Sequence, residues 1–579
     1  MNSQTVVHSA DQKREANLRR LDWRFLLPNS QTGRFRHLLL SGGPKGLANR
    51  IVEANLAERV SCEITEGCRA DAAIILHDST VEMEQAAACL ERGGVLYQEI
   101  ARTSRSVLRM TPDNLRHEFN HAGLTLTGLY WAAPNFEQCR RYIPLDVPGA
   151  VHWYFSSLFV AGTPIHQLIR TLFRLVVGKN SQRMAWLVPY LSVTAVAAST
   201  STYPPSILNH PHIDNMLPKD DLRPMILTSG QDDASRLIML PFAPQHSQSP
   251  LAVIKIATDP KFNVETEVEQ TVLHEVRARL DAKMRQSVPE PLGSFHYHNL
   301  AVGVESCALG SSLWVSSGGW GTSPQTKTAD MELGTRWLIE FHRQTESERL
   351  SWDHRAIERW IETPLAAYAQ LRNVTEAEQR LFISMRVHAN TLLGAELPLV
   401  WQHNDFAPWN LYRAGDRLTV LDWEFNRDWD TTRAGPALCD LLYFVTYWNN
   451  IVHRHYTEGA ELRGMYALFL EFAPKSRYIY VARRAIAQYM AELKIDWRFL
   501  PLLLVYTWTE RVVYSYARLQ KLERPSGTSR AADKFAKYIG LLAIHGQELF
   551  SANNGGFWQG YAHRKAKMSD QSPDSEAFG

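Results

Sequence analysis

In the first part of the chain, short apolar runs alternate with segments of helical period. Four of these runs are expected to form strands: 36–41, 72–77, 92–97 and 124–131. Helices are expected over 83–90 and 111–121. Strands that alternate with helices favour a parallel sheet with a crevice at the strand ends. The sequence therefore predicts a Rossmann-like α/β domain at the N-terminus.

A second set of strand-like runs follows at 225–228, 237–242 and 251–256. A helical period comes next, over 268–280. Much later, two short apolar runs flank the turn 414–416 and predict a β-hairpin that ends just before Asp422. A strand-rich part followed by a long helical part is typical of an α+β fold.

Three polar side chains stand at a narrow spacing around this hairpin. Asp405 can accept a proton from an attacking hydroxyl, Asn410 follows five residues later, and Asp422 ends the return strand. The hairpin would bring Asp422 beside Asn410, where their oxygens can hold a divalent metal ion. Phosphoryl transfer needs neutralised phosphates and a hydroxyl held in line, so the spacing indicates that chemistry. The alternative is a polar loop whose carboxylates are surface charges or caps.

The segment 403–410 followed by Asp422 resembles the catalytic loop of the aminoglycoside phosphotransferase and choline kinase family, which has a protein-kinase-like fold. Asn404 stands where the family usually has glycine. The resemblance implies that Asp405 is the catalytic base and that Asn410 and Asp422 bind magnesium.

The same resemblance extends to neighbouring segments. Asp440, in a segment similar to a helix start of the family, is expected to hold the catalytic loop. Lys255 is the single charge in an apolar strand and is expected to bind the α and β phosphates of ATP. Glu275, on the following helix, is the expected partner of Lys255. Three competitors stand near the start of that helix: Glu265, Glu267 and Glu269.

Two further segments are expected to contact the nucleotide. Ser229 and Gly230 begin a polar turn of the kind that covers phosphates. Glu305, Ser306 and Cys307 stand where the resemblance places the hinge between two lobes, so backbone groups there would meet the adenine. An ordinary strand and turn is the alternative.

The N-terminal region resembles class I methyltransferases through Leu90-Glu91-Arg92-Gly93-Gly94-Val95-Leu96. That resemblance implies S-adenosylmethionine as a cofactor. The glycine turn at 41–44 matches only in part, however, and neither Glu63 nor Glu66 is a secure ribose-binding acid. A degenerate domain is therefore favoured over an active methyltransferase.

These resemblances divide the chain into five expected segments. They are a Rossmann-like domain over 1–165, a helical connector over 166–206, a kinase-like N-lobe over 207–310, a helical C-lobe over 311–560 and a disordered tail over 561–579. Within the connector, the apolar stretch 185–198 is expected to be a buried or lobe-joining helix.

Composition narrows the class of protein. The hydrophobic fraction of 45% and the charged fraction of 21% are those of a globular protein, and the net charge of +2 gives no broad attraction to nucleic acid. Six scattered cysteines without a zinc-binding pattern indicate reduced thiols and a cytoplasmic location. We expect no transmembrane segment, and a homodimer is left open.

The acceptor is the least determined part. Aromatic residues are frequent in the second half, and either cation binding or sugar stacking can use them; core packing is the alternative for each. Trp409 and Glu424 are the expected acceptor contacts. The leading hypothesis is an ATP- and magnesium-dependent kinase that phosphorylates a hydroxyl of a small molecule such as a sugar, amino alcohol or glycan precursor. A nucleotide-binding pseudokinase and a bifunctional methyltransferase–kinase are the alternatives.

Overall fold

The computed structural model describes residues 21–27, 34–65, 67–77, 79, 81–101, 111–177, 188–197, 207–218, 222–228, 236–244, 248–423, 434–521 and 530–550. The chain divides into two compact units. The first contains Met1–Phe159, Ile165–His274 and Pro289–Leu309, and the second contains Val160–Pro164, Glu275–Val288 and Gly310–Gly579.

The described part of the first unit contains one sheet of twelve strands, in the order β11-β12-β10-β9-β8-β6-β5-β7-β4-β3-β1-β2. The strands in chain order are β1 Phe35–Ser41, β2 Ala57–Ser61, β3 Ala70–Ile75, β4 Leu90–Ala101, β5 Leu124–Ala133, β6 Arg141–Pro144, β7 Tyr190–Ala197, β8 Arg223–Leu227, β9 Leu237–Phe242, β10 Val253–Ile256, β11 Pro291–Tyr297 and β12 Leu300–Glu305. Its longer helices are Leu47–Glu53, Met83–Cys89, Pro112–His121, Pro148–Trp153, Pro164–Val177, Pro211–Met216 and Asn263–Arg279.

The sheet is mixed. Strands β2, β1, β3 and β4 pair in parallel, whereas every pairing from β4–β7 to β11–β12 is antiparallel. The predicted strands and helices of the N-terminal region are present, and the fold is of the mixed α/β class. The parallel section has only four strands, so a Rossmann-like domain is not confirmed.

Apolar side chains cover both faces of the parallel section. Leu38 and Leu40 of β1 belong to one core cluster, and Leu39 between them belongs to the other. Ile74 and Ile75 of β3 divide in the same way. Strands that are buried on both faces read as continuous apolar runs, which is why the sequence pattern located them.

The stretch 185–198 was expected to be a helix, and this expectation is wrong. Residues Tyr190–Ala197 form β7, which lies between β4 and β5 in the sheet. Seven of its eight residues are buried, and β-branched residues such as Val193 and Val196 favour a strand. An apolar run of this length does not by itself distinguish a buried strand from a buried helix.

The described part of the second unit is mainly helical. Its helices are Ala282–Arg285, Leu313–Gly318, Pro324–Thr345, His354–Ile357, Thr363–Leu371, Glu376–Asn390, Cys439–His453, Glu458–Phe469, Arg477–Glu492, Phe499–Lys521, Arg530–Ile544 and Gly546–Leu549. Six short strands make two sheets, β13-β16-β17 and β14-β15-β18. They are β13 Ser311–Ser312, β14 Glu346–Ser351, β15 Glu396–Trp401, β16 Leu411–Ala414, β17 Arg417–Val420 and β18 Ala434–Pro436.

Local signals set several helix starts in this unit. The Thr375 hydroxyl accepts a hydrogen bond from the Glu378 backbone N–H at 3.3 Å, while the Glu378 carboxylate accepts one from the Thr375 N–H at 2.8 Å. This reciprocal cap satisfies two amides that the helix itself cannot. At helix Pro324–Thr345, the Ser323 hydroxyl caps the start by accepting the Thr326 N–H at 3.1 Å. Within the described residues, no helix has both the length and the apolar character needed to cross a bilayer.

Candidate active site

The predicted hairpin is present in the second unit and carries the candidate site. Strands β16 and β17 pair from Leu411–Val420 to Ala414–Arg417. The backbone N–H of Leu421 then donates to the carbonyl of Asn410 at 2.9 Å. This bond places Asp422, the next residue, close to Asn410, as the sequence predicts.

The loop before the hairpin is fixed by the carboxylate of Asp440. Its two oxygens accept hydrogen bonds from the backbone N–H groups of His403, at 2.7 Å, and Asn404, at 3.0 Å. Burial raises the pKa of this carboxyl, but bonds and charges from His342 and His403 outweigh that effect and lower it overall. The expectation that Asp440 holds the catalytic loop is confirmed.

Asp440 is supported in turn by buried polar side chains. His342 Nε2 lies 3.6 Å from the Asp440 carboxylate, and His342 Nδ1 accepts a hydrogen bond from the Tyr489 hydroxyl at 2.5 Å. The same hydroxyl accepts the N–H of Leu438 at 3.1 Å. Leu438 has a φ of 90°, which favours glycine, so these bonds hold a strained residue at the start of the Cys439–His453 helix.

His403 is a structural histidine with one defined tautomer. Its Nε2 lies 2.9 Å from the carbonyl of Leu421 and must donate, while Nδ1 accepts the backbone N–H of Asp405 at 3.2 Å. The imidazole is fully buried, and burial lowers its pKa despite the nearby carboxylates. A neutral ring therefore links the loop to the end of the return strand.

Asn404 has a left-handed backbone, with a φ of 64°. This conformation explains why glycine is usual at this position, since glycine adopts it at no steric cost. Asparagine is one of the few other residues that tolerate it. The departure from the family pattern therefore preserves the loop.

The Asp405 carboxylate, half-buried, is surrounded by donors. Asn410 Nδ2 donates to Oδ2 at 2.8 Å, and the indole N–H of Trp409 donates to the same oxygen at 3.2 Å. The hydroxyl of Tyr443 also hydrogen-bonds to this carboxylate, and burial first and Asp405 second raise the pKa of Tyr443 well above its usual range. Trp409 and Tyr443 therefore contact the candidate base directly.

A cation faces these aromatic residues. The Arg511 guanidinium lies 4.0 Å from the centre of the Tyr443 ring. Burial lowers the pKa of Arg511, but Tyr443, Asp405 and Asp440 act more strongly together and raise it. Lys534 lies over the neighbouring ring of Tyr447 at 4.7 Å. Aromatic and positively charged groups thus line one side of Asp405.

In the first unit, Lys255 belongs to a buried group of charges. Its ammonium pairs with the carboxylate of Glu269 and lies 3.1 Å from that of Glu305. Arg236 pairs with the other oxygen of Glu269. These four side chains are at most 10% exposed. Two cations and two carboxylates compensate one another where an isolated charge would be costly.

The partner of Lys255 is therefore Glu269, and the choice of Glu275 is corrected. Both belong to helix Asn263–Arg279, but six residues separate them. That spacing moves Glu275 about 9 Å along the axis and about one and two-thirds turns around it, so Glu275 lies about 120° from the face that meets β10. Glu269 is 2% exposed, which marks the face of the helix that is turned to the sheet.

The three predicted hinge residues make contacts within the protein. The Glu305 carboxylate faces Lys255, and burial, the largest influence, raises its pKa to about 7. The backbone N–H of Ser306 already donates to the carbonyl of Glu290 at 2.8 Å. The Cys307 thiol packs against an apolar cluster, and burial raises its pKa to about 12. Hinge contacts with a nucleotide stay a prediction, and the Ser306 N–H is not free for them.

Some expected residues lie outside the described part of the chain: Ser229, Gly230, Glu424 and Glu66. Other functional candidates were missed by sequence reasoning. Arg236 ends the polar turn before β9 and had no distinguishing pattern. Arg511 approaches Asp405 from a distant segment, a contact that periodicity does not give. Tyr443 was considered only as one of the aromatic residues of the second half, without a link to Asp405. Of the aromatic residues that are frequent in the second half, Trp423, Trp448 and Trp508 are fully buried core residues.

Residues 252–474 match the model of the phosphotransferase enzyme family (APH). This segment includes Lys255, the catalytic loop, the hairpin and Asp440. The match confirms the expectation of a phosphotransferase at the level of the family. None of the curated proteins matches the chain.

Several solved kinases have similar structures, although the similarity is weak. A glucosamine kinase in complex with glucosamine, ADP and inorganic phosphate is 16% identical, with a TM-score of 0.33 over 58% of this chain and 77% of its own. An amicoumacin kinase with AMP-PNP and Ca²⁺ is 12% identical, with a TM-score of 0.32 over 54% and 85%. A macrolide 2′-phosphotransferase from Brachybacterium faecium is 14% identical, with a TM-score of 0.27 over 62% and 93%.

Scores this low carry no argument about activity, so the assignment rests on the family match alone. What the comparisons show is a match of residues 252–474 to the phosphotransferase enzyme family.

Proposed function

We propose that the protein is a small-molecule kinase that transfers the γ-phosphate of ATP to a hydroxyl group. The observation that carries this proposal is the set of hydrogen bonds around Asp405, in a segment that matches the phosphotransferase family. A carboxylate held by Asn410 and Trp409, on a loop fixed by Asp440, has the position and the chemistry of a general base.

Asp405 would orient the acceptor hydroxyl and take its proton. Because the loop backbone is fixed through Asp440 and His403, the carboxylate needs little reorganisation when the hydroxyl arrives. Lys255, paired with Glu269, would neutralise phosphate charge, and Cys307 would contribute backbone contacts to the base of the nucleotide.

Asn410 and Asp422 fit a magnesium ion by the chemistry of their oxygens. When bound, Mg²⁺ supplies charge that stabilises the phosphates of ATP. No group of three or more histidine, cysteine or acidic side chains in the described residues could hold a metal ion. A pair of protein ligands supplemented by phosphate oxygens and water is how Mg²⁺ commonly binds in kinases.

The proposed domain organisation keeps a kinase-like N-lobe over 207–310 and a helical C-lobe over 311–560. The helical connector expected over 166–206 is not kept, because strand β7 lies within it. The strand-rich segment 207–310, with Lys255, would bind nucleotide, and 311–560, with Asp405, would bind the acceptor. Because β6 pairs with β8, the N-terminal region and the proposed nucleotide-binding segment share one sheet.

The proposal is tested by calorimetric titration of ATP into the full chain, with and without magnesium. Asp422→Ala should abolish the magnesium-dependent part of binding. Asp416→Ala is the matched control, because Asp416 is exposed in the turn of the same hairpin. Binding that is independent of magnesium, or unaffected in Asp422→Ala, would remove Asp422 from the proposed site. ATP binding without transfer to any acceptor would favour the pseudokinase.

A further inference from the structure

Two cations converge on one aromatic ring in the second unit, away from Asp405, and a third lies close by. The Lys327 ammonium lies 5.1 Å from the centre of the Tyr478 ring, and the Arg477 guanidinium lies 5.2 Å from it. Arg454 is near enough that, after burial, its charge and that of Arg477 lower the pKa of Lys327. We call Lys327, Arg454 and Arg477 the cation cluster.

The cation cluster has no acidic counterpart in the described residues. Across that part of the chain, no salt bridge joins any of its three members to an aspartate or glutamate. Arg484, on the same helix as Arg477, is by contrast paired with Glu332. Lys327 is half-buried, whereas Arg454 and Arg477 are exposed. Like charges that lie close together repel one another, so a bound anion would stabilise the cluster.

Polar side chains lie beneath the cation cluster. The rings of His453 and His455 stack at 5.3 Å, and Nδ1 of His455 is buried with no hydrogen-bond partner. The His453 ring is held by the Asn449 carbonyl at 2.9 Å and the Ser476 hydroxyl at 2.6 Å. This nitrogen is turned towards Gly464, and the His453 ring packs against the Tyr478 ring at 5.7 Å, so the two imidazoles support the ring on which the cations lie.

A strip of aromatic residues connects Asp405 to the cation cluster. Trp409 donates to Asp405, and the ring of Trp314 lies 6.2 Å from that of Trp409. Trp314 hydrogen-bonds to the Tyr456 hydroxyl, and the backbone N–H of Tyr456 donates to the carbonyl of Arg454 at 3.0 Å. Trp314 is 39% exposed and Tyr456 is 54% exposed, so the strip is accessible.

We propose that the cation cluster binds an oxyanion, a phosphate or a carboxylate, carried by the same acceptor whose hydroxyl reaches Asp405. This inference rests on the proposed kinase function. The acceptor is then an elongated molecule that presents its hydroxyl at Asp405, lies along Trp409, Trp314 and Tyr456, and ends in a negative charge. Lysine and arginine bind phosphate and carboxylate through charge-assisted hydrogen bonds, and the aromatic strip suits a ring or chain of carbons.

A small anionic group is favoured over a lipid surface. The cluster has three cations, of which Lys327 is half-buried, and the whole chain carries a net charge of only +2. A membrane surface is usually bound by broader basic segments of four to eight residues.

The test uses inorganic phosphate as the probe, titrated into the full chain without nucleotide and followed by ³¹P NMR. Wild type should bind phosphate saturably. Lys327→Gln and Arg477→Gln should each weaken that binding by about tenfold or more. Arg484→Gln is the matched control and should leave it unchanged. Phosphate that binds equally well in all variants, or no saturable binding by wild type, would overturn the proposal.

Two further measurements separate this inference from its alternatives. Arg477→Gln should unfold at the same temperature as wild type, because the Arg477 side chain is exposed. A lower unfolding temperature together with weaker phosphate binding would show damage to the fold instead of loss of an anion site, and would count against the proposal. If the variants lose binding to phosphatidylserine vesicles but keep phosphate binding, the cluster is a membrane-contact surface and the proposal is wrong. Phosphate binding does not depend on kinase activity. The phosphate titration can therefore support an anion site even if the proposed kinase function is wrong.

Discussion

The carboxylate of Asp440 accepts a hydrogen bond of 2.7 Å from the backbone N–H of His403, 37 residues earlier in the chain. Its second oxygen accepts the next backbone N–H, so one buried side chain fixes two consecutive peptide groups of the catalytic loop. Asp440 is itself buried, so it positions the loop without facing solvent.

Asp440→Asn should damage both stability and activity. In asparagine, an NH₂ group replaces one of the two carboxylate oxygens. That NH₂ group would face one of the two backbone N–H groups, and this buried N–H would lose its hydrogen-bond acceptor. We expect the free energy of unfolding to drop by about 1–3 kcal/mol and kcat/KM to drop by about 10- to 100-fold. Urea denaturation and phosphotransfer assays measure the two effects. Asp416→Asn, in the exposed turn, should change neither; an Asp440→Asn enzyme equal to that control would refute the role of Asp440.

Asn404→Gly should be tolerated and Asn404→Val should not. The φ of 64° at this position is open to glycine, whereas a β-branched residue there is strained by about 1–2 kcal/mol. The two variants can be compared by thermal denaturation and by kcat. Equal stability of the glycine and valine variants would mean that the loop does not depend on this backbone conformation.

Glu269→Gln and Glu275→Gln form a matched pair on one helix. Glu269→Gln leaves Lys255 and Arg236 with less compensating charge in a buried environment, and breaking such a pair costs about 3–5 kcal/mol. We expect a large loss of stability and of ATP affinity for Glu269→Gln, and little change for Glu275→Gln. Chemical denaturation and calorimetry measure these quantities. The reverse order of effects would restore Glu275 as the partner of Lys255.

Glu305 should make stability depend on pH in a defined window. Its folded-state pKa is about 7, above the ordinary value of 4.5. As pH rises from 4.5 towards 7, the unfolded chain releases the proton of Glu305 before the folded protein does, so the free energy of unfolding decreases. Below pH 4.5 the stabilising contribution of Glu305 is fully present.

The check on Glu305 is a difference measurement. The urea midpoint of wild type minus that of Glu305→Gln should decrease through the window, because other titrating groups are common to both proteins. Parallel midpoints across the window would mean that the pKa of Glu305 is not raised.

Much of the active-site loop could be predicted because its chemistry is local. Asp405, Asn410 and the hairpin to Asp422 depend on spacing and turn signals within about twenty residues. The partners of these residues could not be found in that way. Tyr443 and Arg511 reach Asp405 only through the packing of helices, and Glu269 differs from Glu275 only in which helix face meets β10. Strand β7 was mistaken for a helix because both produce an apolar run when fully buried.

The central claim is that Asp405 activates an acceptor hydroxyl for phosphoryl transfer. The most direct test incubates the full chain with γ-labelled ATP, magnesium and a panel of sugars, amino alcohols and their phosphorylated or carboxylated forms. The account predicts labelled product with wild type and with Asp416→Asn, and a rate lower by about 10²–10⁴-fold with Asp405→Asn. Transfer at the wild-type rate by Asp405→Asn would contradict it.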